Sequence, residues 1–322
     1  MTSETPRVAH IEVSDDDAGM RLDRWLRARF PDVPLGALSK AVRTGQVRVD
    51  GARAKMETRL AEGQSVRLPP ISAGAGARPA APVREGDAGA LEAMLLYRDD
   101  QVAVLNKPFG LAVQGGSGVT RHVDGMLEAW RDRKGRKPRL VHRLDRDTTG
   151  ILVVALTRSA AASLSEAFRG RDAHKAYWAV TRGHPTPLEG RVSTFIGRDP
   201  EDGEKMKVFK TKVKDTQRAI TDYEFLDQSG QLSLIRLEPV TGRTHQLRVH
   251  CAYMGIPIVG DPKYFNIENW DLPGGIQNRL HLHARRIQVP HPNGSSTLDV
   301  SAPVSQHFAQ TLSVMGLTPV EV

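Results

Sequence analysis

Apolar side chains recur with helical spacing at Leu22, Trp25, Leu26 and Phe30, the i, i+3, i+4 and i+8 positions of "RLDRWLRARF". This predicts one apolar helix face over Arg21–Phe30, with Arg24, Arg27 and Arg29 lying off it. A second short helix is predicted over Leu35–Thr44, with Leu38, Ala41 and Val42 inward, Lys40 and Arg43 outward, and Gly45 as its stop. "QVRVDG" then reads as a strand entering an Asp-Gly turn, and "GQSVRLPP" as a closing strand. Regular patterning ceases in "PPISAGAGARPAAPVREGDAGA", which has no aromatic residue and is dense in Gly, Ala and Pro. Such a stretch cannot bury enough apolar surface to fold alone and reads as a linker.

From Leu91 the pattern is mixed. "QVAVLNKP", "GILVVALT", "KAYWAVTRG", "QLSLIRLEPV" and "RLHLHARRIQV" read as strands. "RSAAASLSEAFRG" reads as a helix capped by Ser159 and stopped by Gly170, and "HQLRVHCAYMG" as a helix ending at Gly255. Strands outnumber helices and are often joined by turns, which predicts an α+β fold on a mixed, largely antiparallel sheet. The expected organisation is a tail over 1–18, a compact module over 19–69, a linker over 70–90 and a larger domain over 91–322.

A chain of 322 residues suits two domains, and 39% hydrophobic content suffices for a core. The single cysteine, Cys251, excludes an internal disulfide. The polar N-terminus lacks the apolar stretch of a signal peptide and no run approaches a membrane span, so a cytoplasmic protein is expected. The net charge is +8, but its distribution says more: between Arg21 and Pro70, 11 Lys/Arg face five Asp/Glu. A basic module of this kind either presents a solvated surface or binds a polyanion, most simply nucleic acid.

Two segments carry candidate chemistry. In "VHRLDRDTTGILVVAL", Asp145 lies among arginines immediately before an apolar strand. It is either a nucleophile or base, or a loop carboxylate paired with Arg143 or Arg146. Asp147, followed by two threonines, reads as a turn former. In "TGRTHQLRVH", Arg243, His245, Arg248 and His250 open a helix; they make either an anion site, helped by backbone N–H groups, or a solvated basic face. "HLH" at 281–283 puts two rings on one strand face, yet no metal-ligand spacing accompanies it and no metal is expected. Neither a dinucleotide fingerprint nor a phosphate-binding loop with its Lys-Ser/Thr is present, so no nucleotide cofactor is expected.

Together, "VHRLDRDTTGILVVA", "HKAYWAV" and "VTGRTHQLRVHCAYMGIPIVGD" resemble the three motif blocks of the RluA/RluC-type family of RNA pseudouridine synthases; "VLNKPFGLAVQGGSG" and "RLHLHA" fit as well. The N-terminal module resembles an S4 RNA-binding domain. That order, with the "GGSG" stretch, is most similar to the RluC branch, which implies large-subunit (23S) ribosomal RNA, free or in an assembling subunit, as partner. The resemblance implies isomerisation of uridine to pseudouridine without a cofactor. Asp145 would be the nucleophile, Arg248 its partner, and Tyr177 would stack on the uracil. The target base must leave the RNA stack to be reached. Arg143 would fill the vacated space or hold a phosphate, and Arg243 and His245 would contact RNA. Lys40, Arg43 and Arg48 would hold phosphates from the S4-like module. His142 is expected to be a structural neighbour and the protein a monomer. A tRNA-directed enzyme and a non-catalytic ribosome assembly factor are the alternatives. "GDPKYFNIENW" departs from the family, which usually has Gly after Lys-Tyr.

Overall fold

The computed structural model describes residues 8–30, 33–70, 84–115, 118–265 and 271–318. Most of the expected linker, the centre of the "GGSG" stretch (116–117) and the end of "GDPKYFNIENW" (266–270) lie outside the described residues. The chain divides into two compact units, Met1–Val83 with Arg131–Lys137, and Arg84–Trp130 with Pro138–Val322.

In the smaller unit, strand β1 (Ala9–Glu12) is followed by helices α1 (Leu22–Arg29) and α2 (Leu35–Arg43) and strands β2 (Arg48–Val49), β3 (Ala52–Arg53) and β4 (Ser65–Leu68). The strands form an antiparallel sheet in the order β1-β4-β2-β3. Leu22, Trp25, Leu26 and Phe30 are all buried, as their spacing demands. Each contributes roughly 1.5–3 kcal/mol relative to exposure. Asp50 and Gly51 both take positive φ, 49° and 77°, as a tight hairpin turn requires. Two expectations change here. Residues 8–18 of the expected tail are part of the fold: β1 pairs with β4, and Asp17 accepts hydrogen bonds from Trp25 Nε1 (3.1 Å) and Arg29 Nη2 (2.5 Å). Arg29 therefore turns inward, its guanidinium 4.5 Å from the Trp25 ring centroid, because a buried carboxylate and an aromatic face offer it more than water does.

The larger unit opens with α3 (Asp87–Ala93), β5 (Leu95–Arg98), β6 (Val102–Lys107), α4 (Val123–Met126), β7 (Arg139–Leu140), β8 (Thr149–Ala155) and α5 (Arg158–Gly170). It continues with β9 (His174–Arg182), β10 (Glu189–Arg198), β11 (Met206–Phe209), β12 (Gln217–Ser229), β13 (Leu232–Pro239), α6 (Gln246–Tyr253), β14 (Leu282–Pro290), β15 (Thr297–Ser301) and α7 (Gln306–Met315). One mixed sheet runs β11-β10-β12-β13-β9-β14-β8-β6-β5, with β15 on β14 and β7 on β8. The α+β, largely antiparallel expectation is met; β14 with β8 is a parallel pair. Every residue of β8 is buried, which is why "TGILVVA" reads as a continuous apolar run rather than an alternation. At the β8–β14 seam, Gly150 has φ +102°, and a Cβ there would lie 2.3 Å from the Ala284 carbonyl oxygen, so only glycine fits.

The expected linker is too long. Residues 84–90 belong to the larger unit, and α3 buries Asp87 beneath Arg121 (3.0 Å) and Leu91 in the core. Its Gly/Ala-rich composition concealed a helix anchored by one ion pair and one leucine. The cap of α5 is Thr157, whose Oγ1 accepts the Ala160 N–H (3.1 Å); Ser159 lies within the helix and bonds the Thr157 hydroxyl. Helix α5 runs through Gly170, and Arg171 takes the left-handed conformation at its end.

Candidate active site

Asp145 sits in the connection between β7 and β8. Three contacts fix that connection. Leu144 is buried in the core cluster. His142 Nε2 accepts the Val153 N–H at 2.8 Å while its ring stacks on Phe168, which makes it the structural neighbour expected. Burial and the charge of Lys175 push the His142 pKa down to about 3, so it stays the neutral acceptor this bond requires. The third contact comes from Lys107 at the end of β6. Fully buried, its Nζ donates to the carbonyls of Pro108 (2.9 Å), Leu111 (2.8 Å) and Arg146 (2.8 Å). These bonds use all three ammonium protons. Burial lowers the Lys107 pKa to about 7, against the opposing charges of Asp147 and Asp145.

The alternative partners considered for Asp145 resolve by geometry. Arg146 turns back to Asp147 (3.1 Å) and Arg143 is exposed. Asp145 Oδ2 instead faces Arg248 Nη1 at 3.4 Å and His245 Nε2 at 3.9 Å. Arg248 lies on α6, whose entry is held by Gln246. The Gln246 Oε1 accepts from Thr241 Oγ1 (2.7 Å) and the Arg243 N–H (3.0 Å). The side chain thus takes a backbone N–H that the sequence had offered to an anion.

Arg248 is not chiefly the partner of Asp145. Its Nε and Nη2 each donate at 2.7 Å to the two carboxylate oxygens of Asp261, which is completely buried. Burial opposes the Arg248 charge, but the Asp261 hydrogen bonds and charge, followed by that of Asp145, more than offset it and raise its pKa. Asp261 also accepts the N–H groups of Lys263 (2.9 Å) and Tyr264 (3.1 Å). The result is a guanidinium clamped on one side, with a single N–H edge turned to Asp145.

His245 occupies the left-handed region, φ 54° and ψ 18°, a conformation that costs a non-glycine residue energy. Its Nδ1 lies 2.9 Å from the Tyr264 hydroxyl, which itself accepts the Met206 N–H at 2.8 Å. Donation of the Tyr264 proton to Nδ1 leaves an Nε2–H directed at Asp145. Burial lowers the His245 pKa and Asp145 opposes the shift. The sequence assigns His245 to RNA contact; the fold sets its ring on the cleft wall, between Asp145 and Tyr264.

Tyr177 comes from β9, which is separated from β8 by β14, and lines the same cleft. Burial, then the negative charge of Asp145, pushes its phenol pKa up, so it is a neutral hydroxyl at ordinary pH. The cleft has a volume of about 480 Å³ and includes Arg143, Asp145, Tyr177, Arg243, His245 and Arg248. That lies within the range of roughly 300–1,000 Å³ typical of small-ligand sites. Lys40 and Arg43 are exposed on α2 of the smaller unit. Arg48 is tied down there, donating to the carbonyls of Gly45 (3.3 Å) and Gly51 (3.0 Å) and bracing the turn.

Lys107, Asp261 and Tyr264 escaped the sequence reading as site residues. A lysine inside the apolar strand "VAVLNKP" and an aspartate after the apolar run "IPIVG" were the available signals. His281 and His283 are fully buried; His281 Nε2 lies 2.8 Å from the Thr311 hydroxyl and His283 Nδ1 2.8 Å from that of Thr149. Among the described residues no group of three or more His, Cys, Asp or Glu is placed to hold a metal, and no helix is long and apolar enough to cross a membrane.

A buried arginine clamp, an aspartate and a neutral tyrosine thus meet in one cleft. The model of the family described as RNA pseudouridylate synthase matches residues 101–253. The chain is 36% identical to ribosomal large subunit pseudouridine synthase C of Escherichia coli (strain K12) over 317 residues, covering 97% of this chain and 98% of that protein. It is 35% identical to the protein of the same name from Vibrio cholerae, covering 96% and 97%. Among solved structures, human RNA pseudouridylate synthase domain containing 4 superposes with a TM-score of 0.62 at 30% identity, over 73% of this chain and 99% of that one. The chain belongs to the RNA pseudouridylate synthase family. It is an isomerase that acts on uridine in RNA.

Proposed function

We propose that this enzyme converts specific uridines of large-subunit ribosomal RNA to pseudouridine with Asp145 as nucleophile and without a cofactor. The carrying observation is that Asp145, Arg248 and Tyr177, from three distant segments, line one cleft. The names of the near-full-length relatives support the ribosomal substrate. The flipped uridine enters the cleft, and Asp145 attacks the sugar C1′ or the uracil ring. By either route the C1′–N1 bond breaks, a C1′–C5 bond forms, the C5 proton leaves, N1 takes up a proton and Asp145 is regenerated. Arg248 orients the carboxylate, an arrangement that the rigid Asp261 clamp supports. Tyr177 stacks on the uracil and takes part in the final proton transfer. Arg143, Arg243 and His245 contact the RNA around the cleft. The smaller unit acts as an S4-like module that grips phosphates through Lys40 and Arg43, with Arg48 shaping its turn.

The test is pseudouridine mapping on transcripts of large-subunit rRNA treated with wild-type protein or Asp145→Asn. Wild type is expected to produce discrete modified positions and the variant none, while both bind RNA alike. Turnover by Asp145→Asn overturns the nucleophile assignment. Modification of tRNA transcripts alone moves the substrate to tRNA, and no modification of any RNA leaves an assembly factor.

A further inference from the structure

We infer that the lysine-rich connection between β11 and β12, with the groove at its root, binds the phosphate backbone of the RNA that flanks the target uridine. The inference rests on the function proposed above and extends its substrate surface. Between Met206 and Arg218, five Lys/Arg face a single acid, Asp215. The β10–β11 hairpin shows the contrast. Near its tip, Lys205 pairs with Asp202 (3.3 Å) and Lys207 with Asp199 (3.7 Å), so their charge is spent locally. Lys210, Lys212 and Lys214 are exposed, and none is ion-paired among the described residues.

This segment has a built shape. Thr216 Oγ1 accepts the Val213 N–H (3.1 Å) and donates to the Val213 carbonyl (2.7 Å), closing a turn that lifts Lys214 and Asp215. The Thr216 methyl packs over Gly197, where a Cβ would lie 2.8 Å away. The backbone of the turn is therefore set before a ligand meets these lysines. Val213, 44% exposed between Lys212 and Lys214, adds an apolar contact for a ribose or base face.

Position supplies the second argument. Asp215 and Gln217, at the root of the segment, line a groove of about 600 Å³. Gly242, Arg243, Thr244 and His245 line both this groove and the catalytic cleft, so the two adjoin across one wall. Arg243 joins them physically, its Nε donating to the Arg218 carbonyl at 3.1 Å. A strand with its uridine in the cleft has a path along the groove and past unneutralised lysines. Clustered cations beside such a path match a polyphosphate, whereas scattered surface lysines would show no such adjacency to the cleft.

The experiment compares wild type, Lys210→Gln/Lys212→Gln/Lys214→Gln and the corresponding triple Arg variant. Each is measured for binding to a fluorescent rRNA fragment over 50–200 mM KCl and for steady-state pseudouridine formation. Three lost phosphate contacts reduce the steepness of log K against log salt by about 2.1–2.7, so that over this range wild-type affinity falls about 20- to 40-fold more than that of the Gln variant. KM rises, kcat at saturation holds, and the Arg variant keeps the wild-type slope. An unchanged slope and KM in the Gln variant overturns the inference, as does a loss confined to kcat. Absence of any wild-type turnover on rRNA would instead strike the function proposed above, leaving the slope comparison to judge this surface.

Discussion

Replacing Asp261 by Asn keeps the shape of the side chain and removes one acceptor from the fully buried end of the Arg248 clamp. Asn Oδ1 can still accept the Lys263 and Tyr264 N–H groups, but its NH2 then meets an Arg248 donor that now finds Asp261 oxygen at 2.7 Å. The Arg248 side chain is only 6% exposed, so water cannot replace the lost charge. Removing one partner of such a pair costs about 3–5 kcal/mol. Arg248, no longer held on two edges, also loses its fixed approach to Asp145, now 3.4 Å, and turnover falls with stability. Urea unfolding of the larger unit measures the first effect and single-turnover pseudouridine formation the second. A companion variant, Arg248→Met with Asp261→Leu, is expected to recover most of the stability and none of the activity, because an apolar pair of similar volume carries no desolvation cost. A stability loss below about 1 kcal/mol in Asp261→Asn, or a double variant as unstable as its two single changes combined, refutes the clamp.

Gly150→Ala sets a Cβ against the Ala284 carbonyl at 2.3 Å in a left-handed backbone; a loss of about 3 kcal/mol or more is expected, and a urea midpoint near wild type would refute it. Lys107→Met removes three donors to the loop that carries Asp145, so turnover drops severalfold with substrate affinity little changed. Because burial sets the Lys107 pKa at about 7, raising the pH through that value strips one proton and leaves a carbonyl without its donor. Wild-type activity should therefore fall on the alkaline side, and Lys107→Met should lack that limb. His250, His281 and His283 are fully buried, and burial lowers each pKa from 6.5 to about 4. Between those values the unfolded chain takes up protons that the folded chain refuses. Their stabilisation is thus complete above 6.5 and is lost as the pH falls, at about 1.4 kcal/mol per pH unit for each histidine. Urea midpoints that stay level from pH 7 to pH 5 would contradict this.

Part of the fold is written in local pattern alone. The helical face of Leu22, Trp25, Leu26 and Phe30 and the apolar run of β8 are set by spacing within one segment, because burial of an element depends on its own periodicity. The resemblance of the motif blocks singled out Asp145, Tyr177 and Arg248, and the three line one cleft. Tertiary structure decided the partners. Arg146, adjacent to Asp145, points to Asp147, while Arg248, 103 residues away, reaches Asp145 but is held by Asp261. Neighbours in sequence diverge in a turn, and an ion pair forms where long-range packing brings charges together and excludes water. The same reason hid Lys107: a lysine in an apolar strand reads as a misfit until three carbonyls from the surrounding loops converge on it. It also hid the first strand and α3, whose short, polar or glycine-rich sequences are folded by a neighbour across the sheet and by one ion pair between a buried carboxylate and an exposed arginine.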